Sequence, residues 1–365
     1  MRAVLITGAD GHLGRAVANQ VLADGLPPLR LWVHARDADT HRAKALALAD
    51  LLRVPSCRLA GGDLADRDPF ARIDPREIGA IVHAAAVTTF SVAQETARVV
   101  NVEGTRKVLD FARRCPNLRA CLLMSTLYAT GLREGEVAEA PIERPAAFAN
   151  RYEWSKWSAE RLAIEEYADL PWRVVRIGTV LAEDASGVVR QQNAIHNTLR
   201  LYFHGLLPML AGRPGTRIYL TTAQFAARAC TRLLDERHAH GFFHASEAWD
   251  EALGLGETLD LVHGAFLADP AFRMRRVPKP LFCELETFRM LVDGARRFSA
   301  AMDRSLSSVA PFAPQLCCDK RVLNARLRAA LPDLLVPRAR VLLPRVCERY
   351  RVDRWSGTAS RKIAA

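Results

Sequence analysis

The stretch Ala3-Val4-Leu5-Ile6-Thr7-Gly8-Ala9-Asp10-Gly11-His12-Leu13-Gly14 decides the fold. Ala3–Thr7 is aliphatic and β-branched and reads as a buried strand. The glycines that follow permit a tight turn, close approach of backbone to a phosphate, and close contact between helix and strand. An amphipathic helical pattern starts at Arg15 and runs to Ala23, so free N–H groups and the positive end of a helix dipole would face any anion held in the turn. Glycines at this spacing, between the first strand and the first helix of a βαβ unit, predict a dinucleotide site in which Gly8, Gly11, His12, Leu13 and Gly14 line the pyrophosphate.

The same alternation continues outward from this loop. Strands are expected at Leu29–His34, Ala80–Ala84, Ala120–Ser125 and Trp172–Ile177, with helices at Asp39–Leu52, Thr105–Arg113 and Ser155–Tyr167. Strands alternating with helices of this length predict an α/β fold, a doubly wound parallel sheet covered on both faces. After about residue 185 the rhythm weakens into helical segments and proline-punctuated loops. Phe288–Ser308, Arg321–Leu331 and Arg338–Tyr350 read as helices of a smaller, mainly helical lobe.

The end of the second strand lies where an acidic residue would favour NAD and a basic one NADP. His34-Ala35-Arg36-Asp37 stands there, and Arg36 could hold a 2′-phosphate bidentately while Asp37 could instead reach the ribose. NADP(H) is the cofactor expected. Asp63-Leu64 could cap the adenine, or Asp63 could simply start a turn. The small residues Ala84, Ala85 and Ala86 after the strand Ala80–Ala84 would let the cofactor backbone pass close.

Asn150-Arg151-Tyr152-Glu153-Trp154-Ser155-Lys156 places Tyr152 and Lys156 on one helical face. A phenol with a pKa near 10 is poorly matched to proton transfer at neutral pH, and a neighbouring ammonium favours the phenolate. Tyr152 and Lys156, both also beside the cofactor, are therefore the expected proton-transfer pair. A third group comes from Met124-Ser125-Thr126, where a hydroxyl at the strand end could hydrogen-bond a developing oxyanion. Thr126 is preferred, with Ser125 second. Asn101 could cap a helix or anchor the active-site wall, and His83 reads as a strand-end histidine satisfied by backbone.

The chain of 365 residues is half apolar and one-quarter charged, an ordinary globular composition. Its eight cysteines include no C-x-x-C pair and no zinc spacing, so free thiols and no metal are expected. The N-terminal apolar run is too short for a signal peptide and no stretch is long enough to span a membrane, which predicts a cytoplasmic protein. The net charge of +11 is uneven: from Arg273 to Lys362 there are 20 Lys and Arg against 8 Asp and Glu. Such a segment could meet an acidic partner or phosphorylated ligand, or form a solvated helical surface. Nucleic acid is not expected, because no aromatic interleaving or binding motif accompanies the charge.

Together, T-G-x-x-G-x-x-G, the H-A-A-A run, N-V-E-G-T, the S-T strand end and Y-E-W-S-K resemble the extended short-chain dehydrogenase/reductase family over roughly residues 1 to 250. Thr89-Phe90, Ser125-Thr126-Leu127-Tyr128, Ser155-Lys156-Trp157-Ser158-Ala159-Glu160, Val175-Arg176-Ile177-Gly178 and Gly205-Leu206-Leu207-Pro208 are similar to its thioester reductase and fatty acyl-CoA reductase branch. Ile177, where that branch usually has proline, and Thr221-Thr222-Ala223-Gln224 depart from its pattern. The resemblance implies a Rossmann-type NADP(H) domain at 1–185 and a substrate lobe with a basic extension at 186–365. It implies catalysis by Thr126, Tyr152 and Lys156, and reduction of a thioester of coenzyme A or of an acidic acyl carrier protein to aldehyde or alcohol. A ketone or hydroxyl oxidoreductase, a sugar-nucleotide epimerase or dehydratase, and a non-enzymatic NADP sensor remain alternatives.

Overall fold

In the first strand Val4 and Ile6 enter one hydrophobic core while Ala3 and Leu5 enter another, as a strand covered on both faces requires. The computed structural model describes residues 2–25, 27–298, 306, 307 and 309–352. Seven strands make one wholly parallel sheet. They are β1 (Ala3–Thr7), β2 (Leu29–His34), β3 (Cys57–Gly62), β4 (Ile78–His83), β5 (Ala120–Thr126), β6 (Trp172–Ile177) and β7 (Gly241–Ala245), in the order β7-β6-β5-β4-β1-β2-β3. The chain starts in the middle, winds out to β3, then crosses back to β4. The strand order therefore reverses between β1 and β4, and a crevice opens there at the carboxyl ends of the strands.

Helix α1 (His12–Ala23) covers one face with Val17, Ala18 and Val21. Between it and the next covering helix lies α2 (Ala38–Ala47), which buries none of its residues. The opposite face is covered by α3 (Gly104–Arg113), through Val108 and Leu109, and by α4 (Arg151–Glu166), through Leu162 and Ala163. The expected helix Asp39–Leu52 breaks at Leu48 into two pieces. Helix α4 begins four residues before the expected Ser155 because Asn150 caps it. The Asn150 side chain accepts from the Glu153 N–H at 3.0 Å, and the Glu153 carboxylate accepts from the Ala149 N–H at 2.9 Å, reciprocal bonds of the capping-box kind.

Past residue 185 a second core gathers α5 (Ala194–Phe203), α7 (Leu255–Phe266), α8 (Leu285–Phe298) and α9 (Ala339–Val352) around Tyr202, Phe266, Phe272 and Phe288. The chain nevertheless returns to the sheet. Helix α6 (Ala223–Arg232) joins the core beside α1, and β7 pairs with β6, sending Phe242 to one face and Phe243 to the other. A division at 185 thus separates two stretches of chain without separating the sheet from everything that follows it. The expected helix Arg321–Leu331 is a strand, Lys320–Val322, paired with Gly135–Val137, followed by the short helix Ala325–Ala330. The end of the expected helix Phe288–Ser308, at 299–305 and 308, and the basic tail at 353–365 lie outside the described residues.

Much of the basic excess is spent internally. Arg328 and Arg338 pair with Glu251, Arg340 with Glu257, and Lys279 with Asp260, while Lys320 is buried. The partners sit in the preceding, slightly acidic part of the chain. Among the described residues no helix is long and apolar enough to cross a membrane.

Candidate active site

The glycine loop has the shape its sequence demands. Gly8 has φ +66°, and a Cβ there would lie 2.7 Å from the Ala85 Cα; a Cβ on Gly14 would lie 2.1 Å from the Gly8 carbonyl oxygen. The Gly11 N–H closes the turn on that oxygen at 2.9 Å, and no side chain caps the start of α1, so its first N–H groups face the crevice. From this loop a groove of about 320 Å3 runs past Ala84 and Ala86 to Ser125, Thr126 and Tyr152, with His12 and Leu13 on its wall. The residues present fit a dinucleotide, because the glycines let the turn, α1 and the end of β4 pack this closely and leave the first N–H groups of α1 open to the groove.

At the end of β2 both Arg36 and Asp37 have partners within the protein. The Asp37 carboxylate accepts from the Thr40 N–H at 2.7 Å and caps α2. Arg36 is 71% exposed and bonds Asp63 through Nε at 2.5 Å. Asp63 also accepts from the Ala65 N–H. Leu64, expected beside the adenine, packs its side chain into the sheet core against Gly104.

Tyr152 and Lys156 come from the first two turns of α4, and Thr126 from the end of β5. The Tyr152 hydroxyl and the Thr126 side chain line the same groove. Burial raises the phenol above its ordinary range, the neighbouring Glu153 adds to this, and the nearby Thr126 hydroxyl opposes it. The expected lowering by Lys156 is outweighed by burial. Burial also lowers the Lys156 ammonium to about 8, against the opposing carboxylate of Glu160. Ser125, the second candidate, donates its proton to Glu160 at 2.5 Å.

That carboxylate belongs to a buried network the sequence did not disclose. Arg176, fully buried, grips Glu160 through Nε and a terminal nitrogen at 2.7 Å, donates to the Ala140 carbonyl at 3.0 Å, and lies 4.4 Å from the centre of the Phe242 ring. Asn101 is an anchor and not a cap. Within the π-helical turn Arg98–Glu103 it accepts from the Val87 N–H and donates to the Val87 carbonyl and to Ser155. His83 is bonded by hydroxyls and not by backbone: Thr7 at 2.7 Å and Thr105 at 3.0 Å. Burial, with Lys156 nearby, lowers it to about 3, so it is neutral and structural.

Two features escaped the sequence reading. Gln315 and Lys320 of the later chain brace the first turn of α4: Lys320 donates to Gln315 at 2.5 Å and to the Gly131 carbonyl at 2.6 Å, and Gln315 donates to Glu153 at 2.8 Å. Phe90 lies against Tyr152, Phe312 stacks on Phe90, and Tyr128 meets Phe312 edge-on. Phe90 and Tyr128 stand in quoted motifs, but nothing local marks Phe312. Among the described residues no group of three or more His, Cys, Asp or Glu could hold a metal.

The male sterility protein family, a family of NAD-binding domains, matches residues 6–230, a span that includes the glycine loop, Thr126, Tyr152 and Lys156. An isonitrile lipopeptide synthase of Streptomyces coeruleorubidus is 30% identical over 214 residues, covering 54% of this chain and 14% of that protein. The chloroplastic fatty acyl-CoA reductase 2 of Arabidopsis thaliana is 24% identical over 209 residues, covering 50% of this chain and 33% of that protein. The chain thus corresponds to a third or less of either relative. Among solved structures, the terminal R domain from the myxalamid PKS-NRPS biosynthetic pathway shares the fold with a TM-score of 0.77 at 20% identity, covering 97% of this chain and 91% of that one.

Proposed function

The chain belongs to the male sterility protein family, and on that premise we propose that it is an NADPH-dependent reductase of acyl thioesters, held on coenzyme A or a carrier protein, giving aldehyde or alcohol. The observation that carries this reading is the placement of Tyr152 and Thr126 together at the far end of the groove that starts in the glycine loop. The nicotinamide, when bound, supplies hydride. Gly8, Gly11, Gly14 and the start of α1 would hold the pyrophosphate. Thr126 and Tyr152 orient the thioester carbonyl, and Tyr152 gives its proton to the oxygen as the carbon is reduced. The resulting hemithioacetal loses its C–S bond, the sulfur leaves as thiol after taking a proton, and the oxygen becomes the aldehyde carbonyl. The relatives that act on fatty acyl-CoA or stand in lipopeptide assembly support this substrate class, as does the apolar wall beyond Tyr128, which would offer little to the hydroxyls of a sugar. Assay of NADPH consumption with acyl thioesters, free ketones and sugar nucleotides tests the reading; turnover of a ketone alone would overturn it.

The coenzyme preference rests on Arg36, with Asp37 committed to its helix cap. Arg36→Ala should weaken NADPH by on the order of 1.5–3 kcal/mol, the worth of a charge-assisted contact, and leave NADH nearly unchanged in titrations of either nucleotide. Equal weakening would remove Arg36 from 2′-phosphate binding. A second expectation concerns pH. Lys156 is charged below about 8 and neutral above, so if the ammonium assists proton delivery, kcat/KM for reduction is flat below that pH and falls as pH rises through it. A rate that climbs through the same interval would contradict a role for the charged form.

A further inference from the structure

We propose that Phe312 sets the length of acyl chain the protein accepts, by partitioning the catalytic groove from an apolar cavity that takes the hydrocarbon tail; this rests on the thioester reading above. The cavity holds about 80 Å3 and is walled by Leu199, Leu210, Leu259, Val262 and Leu316 among others. It shares Tyr128, Thr179, Ile195 and Phe312 with the groove that contains Tyr152 and Thr126, so the two spaces are neighbours across those four side chains. Phe312 stands edge-on to Tyr128 at 5.1 Å and stacks on Phe90 at 6.0 Å, and Phe90 lies 6.0 Å from Tyr152. The ring therefore connects the proton donor's aromatic neighbours to the cavity wall.

The hydroxyls of the cavity lining are already engaged. Tyr128 and Thr179 bond each other at 2.5 Å, Thr198 donates to the Ala194 carbonyl, Thr258 donates to the Gly254 carbonyl, and Tyr202 pairs with His263. The Thr198 and Thr258 protons are already given, so an occupant that accepts hydrogen bonds would have to displace a bond, whereas a hydrocarbon displaces none and suits the leucine and valine wall. The occupant is thus the aliphatic tail of a substrate whose carbonyl lies at Tyr152. Tyr128 is tethered through its hydroxyl, but Phe312 has no polar side-chain tether and sits in the short turn Ala310–Phe312. It is the partition whose size or position decides how much of the cavity a tail can reach. Each methylene newly admitted should raise kcat/KM by about fourfold, the worth of burying one CH2 group.

The test is a chain-length profile of kcat/KM for straight-chain acyl pantetheine thioesters from butanoyl to hexadecanoyl, in the wild type, Phe312→Ala, the milder Phe312→Leu, and Thr258→Leu, which fills the cavity from α7. NADPH affinity reports that each variant is folded. Phe312→Ala and, to a smaller degree, Phe312→Leu should move the optimum to longer chains, and Thr258→Leu to shorter ones. Direct binding of dansylated undecanoate is measured in parallel, without turnover, and should tighten in Phe312→Ala and weaken in Thr258→Leu. An unchanged profile in folded variants, together with unchanged probe binding, overturns the assignment of Phe312. If no thioester is reduced by the wild type but probe binding responds as expected, the thioester reading falls while the cavity keeps its hydrocarbon ligand.

Discussion

Tyr152→Phe lowers turnover by roughly 10²–10⁴-fold, the usual worth of a positioned general acid, and leaves NADPH affinity close to wild type. The phenyl ring preserves the contact with Phe90 and removes only the hydroxyl that faces the groove beside Thr126. A burial-raised phenol is a neutral donor at the pH of assay, so what is lost is the proton delivered to the substrate oxygen. Thr126→Ala should cost less, because it removes an orienting hydroxyl while the donor stays. Steady-state turnover and nucleotide titration on the same preparation separate the two effects. Near wild-type turnover in Tyr152→Phe would take that residue out of the chemistry.

Glu160→Ala is the substitution with the largest expected effect on stability. The Arg176 guanidinium is completely buried and among the described residues its only carboxylate contact is Glu160, itself 4% exposed. Removing the carboxylate leaves a cation in the core between Ser125, His244 and the Phe242 ring, a cost of about 3–5 kcal/mol. The pair as a whole is worth far less than this, since its attraction must offset the desolvation of both ions. The double variant Glu160→Leu with Arg176→Met should therefore recover most of the loss. Denaturant unfolding of the three proteins checks both statements. A single-variant loss under about 1 kcal/mol would mean that water or another group reaches Arg176.

The parts of the fold legible in the sequence were those with local causes. The strand Ala3–Thr7, the glycine turn and the four-residue step from Tyr152 to Lys156 each follow from backbone geometry within a dozen residues. Strand β7 was not legible: Gly241–Ala245 is short, lacks alternation, and gains its identity only by pairing with β6. The partners of His83 lie at Thr7 and Thr105, 76 and 22 residues away, which no spacing rule reaches. The direction of the Tyr152 shift was misread for a related reason, since a lysine one turn away is visible in sequence and the burial that outweighs it is not. The C-terminal arginines looked like a free basic face because Glu251 and Glu257 are remote in the chain and adjacent in space. Phe312 sits between Pro311 and Pro314 in a segment without periodicity, and only the folded chain brings it beside Tyr128.

The most direct measurement of the central claim is the stoichiometry of thiol released to NADPH consumed when the protein acts on a straight-chain acyl thioester. The account predicts one thiol for each NADPH if reduction stops at the aldehyde, and one for every two if it continues to the alcohol, with both rates lowered together in Tyr152→Phe. NADPH consumed without release of thiol, or consumed only when a free ketone or sugar nucleotide is supplied, would contradict it.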